Sequence, residues 1–344
     1  MDETAFGTRT KRGDYKPAKP ITYPPVFVWP PLPLKFLRWF FGFPGYIWPW
    51  NLLYAAIGIL VWFYATPSLE TMKSFAPGWI AFILVRNAAL VLVYFGAFHL
   101  RLYIQRAQGT TFKYNPKWPS TESPTFLFHN QTLDNVFWTF VSAVPIWTAW
   151  ECLTLWMFAN HYLPFAEWAQ NPVWFVVVFF LTPLFREVHF YAIHRLIHWP
   201  PLYRSVHKLH HKNVNPGPWS GLAMHPVEHL LYFSVVLFNW VVPSAPVHAI
   251  FTLVHTGLAP APGHVGFDKV VVGEDSAFDT HSYEHYLHHK LFECNYADGV
   301  IPLDAWFDTF HDGSEESETR LQARLQARAA KRVARRRGKS ENRP

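Results

Sequence analysis

The sequence predicts an all-α integral membrane protein: about four transmembrane helices and a dipping helical hairpin, with a cytoplasmic, histidine-rich helical cap holding a dimetal site. Three observations carry that expectation. Half of the 344 residues are apolar, 18% are aromatic and only 16% are charged, against about a quarter charged in ordinary soluble domains. The apolar residues gather into runs long enough to cross about 30 Å of hydrocarbon. Of the 19 histidines, 16 fall between positions 189 and 311, a crowding that needs a local chemical cause.

This composition excludes a disordered chain. The formal charge of +6 invites a nucleic-acid reading, yet residues 320–344 hold ten Lys/Arg and one Glu, leaving 20 basic against 23 acidic residues elsewhere. The body is therefore mildly acidic, the basicity belongs to the tail, and no nucleic-acid partner is expected. Cys152 and Cys294 are far apart and neither has a CxxC partner, so neither a disulfide framework nor a thiolate zinc site is expected.

In chain order, residues 1–45 are a polar, Pro-rich cytoplasmic segment whose stretch LKFLRWFF (34–41) suits the membrane surface. Spans follow at 46–65, 79–100 and 136–159, the second containing Arg86, which near a span's end is expected to snorkel to the interface. A fourth apolar run from Val173 to Phe185 continues without a breaker into REVHFYAIHRLIH. Thirteen apolar residues reach only about 20 Å, so one long helix is expected to leave the membrane with its polar end in water. Seven Lys/Arg precede the first span and four lie in 101–135, against Lys73 alone in one opposite loop and none in 160–172. The positive-inside rule then puts the N-terminus and the histidine-rich region on the cytoplasmic side. Residues 230–242 and 247–254 are apolar around Pro243 and Pro246. One full crossing would strand the last histidines on the wrong side, so a dipping hairpin or two closely kinked spans are expected.

Three boxes hold the chemistry. His194 and His198 in HRLIH stand at i and i+4, with Glu187 and Tyr191 on the same helical face. His207, His210 and His211 in HKLHH have i, i+3, i+4 spacing, and His285, His288 and His289 in HYLHH repeat it nearly 80 residues later. A structural zinc closes with four ligands and a catalytic one with three, so eight imidazoles point to two metals. Imidazole suits Zn, Cu, Fe and Ni alike. Placement at a membrane surface favours redox iron meeting dioxygen and a lipid, and the positioned carboxylate base of a hydrolytic HExxH site is not present. His225 and His229 in MHPVEH are candidates as ligands or as donors behind the ligands, and His255 closes the run VHAIFTLVH as another candidate ligand. His281 would share a face with His285. His264 in PAPGHVGF reads as a loop contact, and His99, His129, His161, His248 and His311 as structural or interfacial. Tyr191, Tyr203, Trp219, Phe278 and Tyr286 read as core packing or as pocket lining.

These boxes, with FECNY and PLDAWFDTFHDG after the last of them, resemble the fatty acid hydroxylase/sterol desaturase superfamily of integral-membrane, non-haem diiron oxidases over about 181–313, and look closest to its sterol desaturase branch. The resemblance implies iron ligation by His194, His198, His207, His210, His211, His285, His288 and His289, with zinc a possible substitute, and extends less directly to His225, His229 and His255. Two departures stand out: Glu284 where many members have His, and Ala297 and Asp308 where many have Gly. The resemblance also implies O2-dependent hydroxylation or desaturation of a sterol or fatty acyl lipid. Electrons would come from a small haem protein or ferredoxin with an NAD(P)H-dependent reductase, since the chain has no GxGxxG after a strand and no CxxCH. In a eukaryote the membrane would be that of the endoplasmic reticulum. The competing readings are a zinc-binding, non-redox membrane hydrolase and a non-catalytic scaffold retaining the fold. The expected division is 1–45 leading segment, 46–185 transmembrane helices, 186–313 catalytic domain and 314–344 basic tail, the last read as a helix for anionic lipid or for an acidic donor.

Overall fold

The computed structural model describes residues 1–297 and 299–341, with the side chains of 331–341 excepted. It is mostly helical, and four helices are long and apolar enough to cross a membrane: Ile47–Tyr64, Pro77–Ile104, Gln131–Ala159 and Pro172–Ile197. A short helix α1 (Pro33–Phe41) precedes them. Regular helix within the first three runs comprises α2 (Leu52–Tyr64), α3 (Pro77–His99), α4 (Gln131–Trp138) and α5 (Val144–Ala159), and the fourth run is α6 (Pro172–Ile197). Local sequence sets their starts. Asn130 Oδ1 accepts Leu133 N–H at 3.0 Å at the head of α4, and Asn171 Oδ1 accepts Trp174 N–H at 2.9 Å at the head of α6. Proline opens α3 and α6, where its missing N–H leaves no bond unmade. As expected, α6 runs unbroken from its apolar half through His194, with Pro183 inside it.

After α6 the chain makes the short helices α7 (Pro200–Leu202) and α8 (Lys208–His211), then α9 (Pro226–Phe233) and α10 (Phe238–Val241) down one arm of the hairpin and α11 (Pro246–Leu258) up the other. The hairpin tip hydrogen-bonds to the loop joining α5 to α6, through Ala166 N–H to Ser244 O at 3.0 Å and Ser244 N–H to Pro164 O at 3.2 Å. The hairpin thus reaches the end of the bundle farthest from the histidine boxes. Every residue of α11 is buried. It is the axis of the bundle, against which α2, α5 and α6 pack. Two glycines allow that approach: a Cβ on Gly58 would stand 3.0 Å from Phe251 Cα, and one on Gly257 would stand 2.3 Å from the Trp147 ring.

Arg86 does not snorkel. It is 8% exposed and pairs with Glu151, itself 1% exposed, while Asn87 Nδ2 donates to Glu151 Oε2 at 3.0 Å and Arg86 Nη1 donates to Ala65 O at 3.0 Å. The charges satisfy each other inside the bundle and tie α3 to α5, since an unpaired charge there would be costly.

The cap is completed by α12 (Pro260–Gly263), α13 (Tyr283–Leu291), α14 (Leu303–Trp306) and α15 (Glu315–Glu341). The N-terminal segment is more structured than its composition suggested. Strands β1 (Gly7–Arg9) and β2 (Tyr15–Pro17) form an antiparallel hairpin that docks on the cap through Tyr15 N–H to Tyr114 O at 2.9 Å and Phe112 N–H to Glu3 Oε2 at 2.7 Å. A second hairpin pairs β3 (Lys269–Val271) with β4 (Ala277–Asp279). The tail forms α15, anchored by buried Leu321 and by the Arg328–Glu293 pair at 2.5 Å. Its final residues, 342–344, lie outside the described residues.

A candidate two-centre histidine site

The three boxes converge and sort themselves into two groups. His194, His198, His207, His211 and His288 form one, and His210, His264, His285 and His289 the other; within each group the candidate ligand atoms lie within 4.8 Å of one another. Helical spacing explains the sorting. In each HxxHH box the i and i+4 imidazoles share a group while the i+3 imidazole turns to the other: His207 and His211 against His210, and His285 and His289 against His288. The two groups are adjacent, with the His211 and His289 rings 5.0 Å apart.

Within the first group Nε2 of His198, His211 and His288 form a triangle with sides of 3.2, 3.0 and 3.2 Å. In the second, His264 Nε2 lies 2.9 Å from His285, 3.1 Å from His289 and 3.3 Å from His210. Several of these nitrogens carry lone pairs, because the opposite ring nitrogen already donates. His194 Nδ1 donates to Tyr296 O at 2.7 Å, His288 Nδ1 to Cys294 O at 2.6 Å, His207 Nδ1 to Glu228 Oε1 at 2.7 Å and His264 Nδ1 to Pro260 O at 2.9 Å. Burial holds His207, His211, His264, His285, His288 and His289 well below the ordinary imidazole range, which keeps them neutral. Converging lone pairs repel unless a cation sits among them. Nitrogens about 2.1 Å from a shared ion lie about 3.0 to 3.4 Å from each other for right-angled to tetrahedral geometry, which matches the separations here. The donor set therefore fits a metal ion in each group.

The ring orientations are built by the segment after the last box. Asp304 accepts Tyr296 N–H at 3.0 Å and Ala297 N–H at 2.6 Å, and Asn295 closes the loop through His311 N–H to Asn295 Oδ1 at 2.7 Å. These bonds fix the Cys294 and Tyr296 carbonyls that hold His288 and His194. Glu187, on the box face of α6, accepts Val300 N–H at 2.7 Å and Ile301 N–H at 2.9 Å. The motifs FECNY and PLDAWFDTFHDG are thus scaffolding for imidazoles. Of the two departures in this segment, Asp308 adopts φ +55°, a left-handed conformation that glycine takes more easily.

Glu228 was not singled out in the sequence. Its partner His207 lies 21 positions away, so no local spacing could have shown it. Burial alone pushes the Glu228 carboxyl well above its usual range; a cation on the far side of His207 would offset that desolvation. His264 is the second surprise: expected as a loop contact, it stands at the centre of the second group. The available signal was its position just past α11, on the side of the bundle where the boxes lie.

The remaining candidates lie outside both groups. His225 caps α9, its Nδ1 accepting Val227 N–H at 3.2 Å. His229 Nε2 donates to Leu222 O at 3.1 Å and its Nδ1 accepts from Ser142 at 2.8 Å, leaving neither nitrogen for a metal. His255 Nε2 donates to Asn51 Oδ1 at 2.8 Å. His281 also stands apart.

A cavity of about 750 Å³ abuts both groups, with His194, His207, His210, His264 and His285 in its wall. One face of α6 runs along it through Pro183, Glu187, Phe190, Ile193, His194 and Ile197, a stripe about 21 Å long at 1.5 Å per residue. Its aromatic wall comes from Trp39, Tyr46, Trp50, Tyr54, Phe190 and Tyr232. Tyr191, Tyr203, Trp219, Phe278 and Tyr286 do not line it; Trp219, for one, packs on Phe95 in the bundle core.

Fold and site together define a helical membrane protein with a paired polyhistidine centre at the end of an aromatic-lined slot. Residues 177–309, under half of the chain, match the family described as Fatty acid hydroxylase. The chain is similar to a Delta(7)-sterol 5(6)-desaturase of Aspergillus fumigatus, 30% identical over 39% of this chain and 48% of that one. It is also similar to methylsterol monooxygenase 1 of Gallus gallus, 24% identical over 45% of this chain and 56% of that one. Fatty acid hydroxylase domain-containing protein 2 of Homo sapiens is 32% identical over 23% of this chain and 26% of that one. The chain thus spans about half, or less, of the length of these curated relatives. No solved structure matches.

Proposed function

We propose that this chain is a membrane-bound diiron oxidoreductase that uses dioxygen and external electrons to hydroxylate or desaturate a C–H bond of a sterol or fatty acyl lipid. The observation that carries this reading is the pair of buried, neutral imidazole groups opening onto a slot with an aromatic wall; the desaturase and monooxygenase names of the relatives support the substrate class. The ligands are His194, His198, His207, His211 and His288 at one centre and His210, His264, His285 and His289 at the other. Iron bound there would supply the redox chemistry that breaks an unactivated C–H bond.

The chain's own residues do the rest. Glu228, Cys294 O and Tyr296 O hold three imidazoles with Nε2 turned inward, so that little reorganisation accompanies binding. The aromatic walls exclude water and align an elongated lipid along α6. With no nucleotide or haem motif in the chain, electrons come from a small haem protein or ferredoxin served by an NAD(P)H-dependent reductase. The site faces the cytoplasm, with the bilayer supplying the substrate.

The test is metal analysis of protein produced in iron-rich medium, followed by lipid mass spectrometry with dioxygen and a reductase system. About two iron ions per chain and an oxygen-dependent lipid product are expected. Zinc alone, or no such product, would defeat the reading.

A further inference from the structure

The two histidine groups differ in how near they come to the surface. His198 is half-buried, whereas the other imidazoles of both groups are buried. It does not line the slot, so its exposed edge is turned elsewhere. The second group has no such edge, and α13 is covered where Tyr286 stacks on Tyr114 with ring centres 4.7 Å apart and Tyr114 O accepts Tyr15 N–H of the N-terminal hairpin. The surface beside His198 carries one sign of charge. Between Glu187 and Glu228 the chain has Arg195, Arg204, Lys208 and Lys212 and no acidic residue. Lys212 is committed to Asp134 at 2.7 Å. Arg204 and Lys208 are exposed and join no ion pair or side-chain hydrogen bond among the described residues. Tyr203, just before Arg204, has its ring 5.5 Å from that of His198, and Trp199, just after His198, is 57% exposed. Glu293, which accepts the Tyr296 hydroxyl at 3.4 Å, is paired with Arg328 at 2.5 Å.

We propose that the face formed by Trp199, Tyr203, Arg204 and Lys208 docks a small acidic redox protein, which delivers electrons singly through His198 to the first centre. Each encounter oxidises the donor by one electron and reduces the centre by one. Unpaired surface charges of one sign steer an oppositely charged partner and raise its rate of encounter, and transient redox encounters use small interfaces. The sequence offered the basic tail as the donor's dock. In the folded chain Arg324 and Arg328 of that tail are engaged with Glu293 and Asp308, whereas Arg204 and Lys208 stand free beside the one exposed imidazole. The inference rests on the reading of the two groups as a redox metal centre.

The test is stopped-flow reduction of the full-length, iron-loaded protein in phosphatidylcholine nanodiscs, with reduced cytochrome b5, a reduced plant-type ferredoxin and dithionite as the three reductants. At low ionic strength one of the two acidic proteins should reduce the iron at a rate that falls about tenfold or more as salt is raised. Arg204→Glu combined with Lys208→Glu should slow that donor about tenfold at low salt and leave iron content and reduction by dithionite unchanged. The same charge change at exposed Lys11 and Arg12, in the turn of the N-terminal hairpin, should leave the rate near that of the unaltered protein, as should Arg204→Lys. An unchanged rate in the Arg204/Lys208 variant overturns the inference, and so does equal slowing by both double variants, which would be an effect of net charge alone. Slowing that appears only when phosphatidylserine is added to the nanodiscs would make the face a lipid contact and also overturn it. Iron that dithionite reduces and neither protein donor does would overturn it while leaving the diiron reading intact; no reducible iron would sink both.

Discussion

The two histidine groups are built from the same boxes but are not equally braced. In the first, three of five imidazoles have Nδ1 anchored, by Glu228 and by the Tyr296 and Cys294 carbonyls. In the second, His264 is anchored by Pro260 O and His210 turns toward the Ala223 and Ser220 carbonyls, while His285 and His289 have no Nδ1 partner among the described residues. The second group contributes His210, His264 and His285 to the slot, and the first contributes His194 and His207. The difference teaches that the first centre is braced by a carboxylate and by the loop after the last box, whereas two imidazoles of the second rely on packing against their neighbours.

The largest effect should come from removing a ligand on either side. His288→Ala and His264→Ala should each lose one metal equivalent by elemental analysis, and both should abolish product. Mild chelation of the unaltered protein should remove metal in two phases, with the His264→Ala protein lacking the faster one. A single phase would erase the distinction between the centres. Next, Glu228→Leu should weaken metal binding at the first centre by about 10- to 100-fold, the usual effect of deleting a carboxylate behind a ligating histidine. Equal weakening at both centres would show that Glu228 acts on the fold rather than on His207.

A smaller effect is expected for Asp304→Asn, which turns an amide N–H toward a backbone N–H in the loop holding His194 and His288. It should cost about 1 to 3 kcal/mol in denaturant unfolding and affect the first centre more than the second. Smallest of all, Asp308→Gly should relieve the left-handed backbone and stabilise by up to about 1 kcal/mol, read as a small rise in Tm with both centres unchanged. A loss of metal there would mean that the Asp308 side chain matters to the site.

Much of this was legible in the chain. The four long helices follow from apolar run length, and the unbroken passage of α6 from VWFVVVFF into HRLIH follows from the absence of a breaker. The pairing inside each HxxHH box follows from helical period, because 100° per residue puts i and i+4 together and lets i+3 diverge. The Arg86–Glu151 pair was not legible. Hydropathy sees each residue in its own span and cannot say that two spans bring opposite charges together.

The sequence by itself determined the spans, the boxes and the count of imidazoles, since these depend on local periodicity and composition. Tertiary structure alone decided that α11 is the fully buried axis, that His264 joins the second group, and that Glu228 stands behind His207. It likewise decided that His225, His229 and His255 face other partners. The reason is physical: which side of a helix a residue occupies is fixed by its neighbours in the chain, but what it meets there is fixed by segments tens to hundreds of residues away, as with His255 on α11 and Asn51 at the head of α2, 204 positions apart.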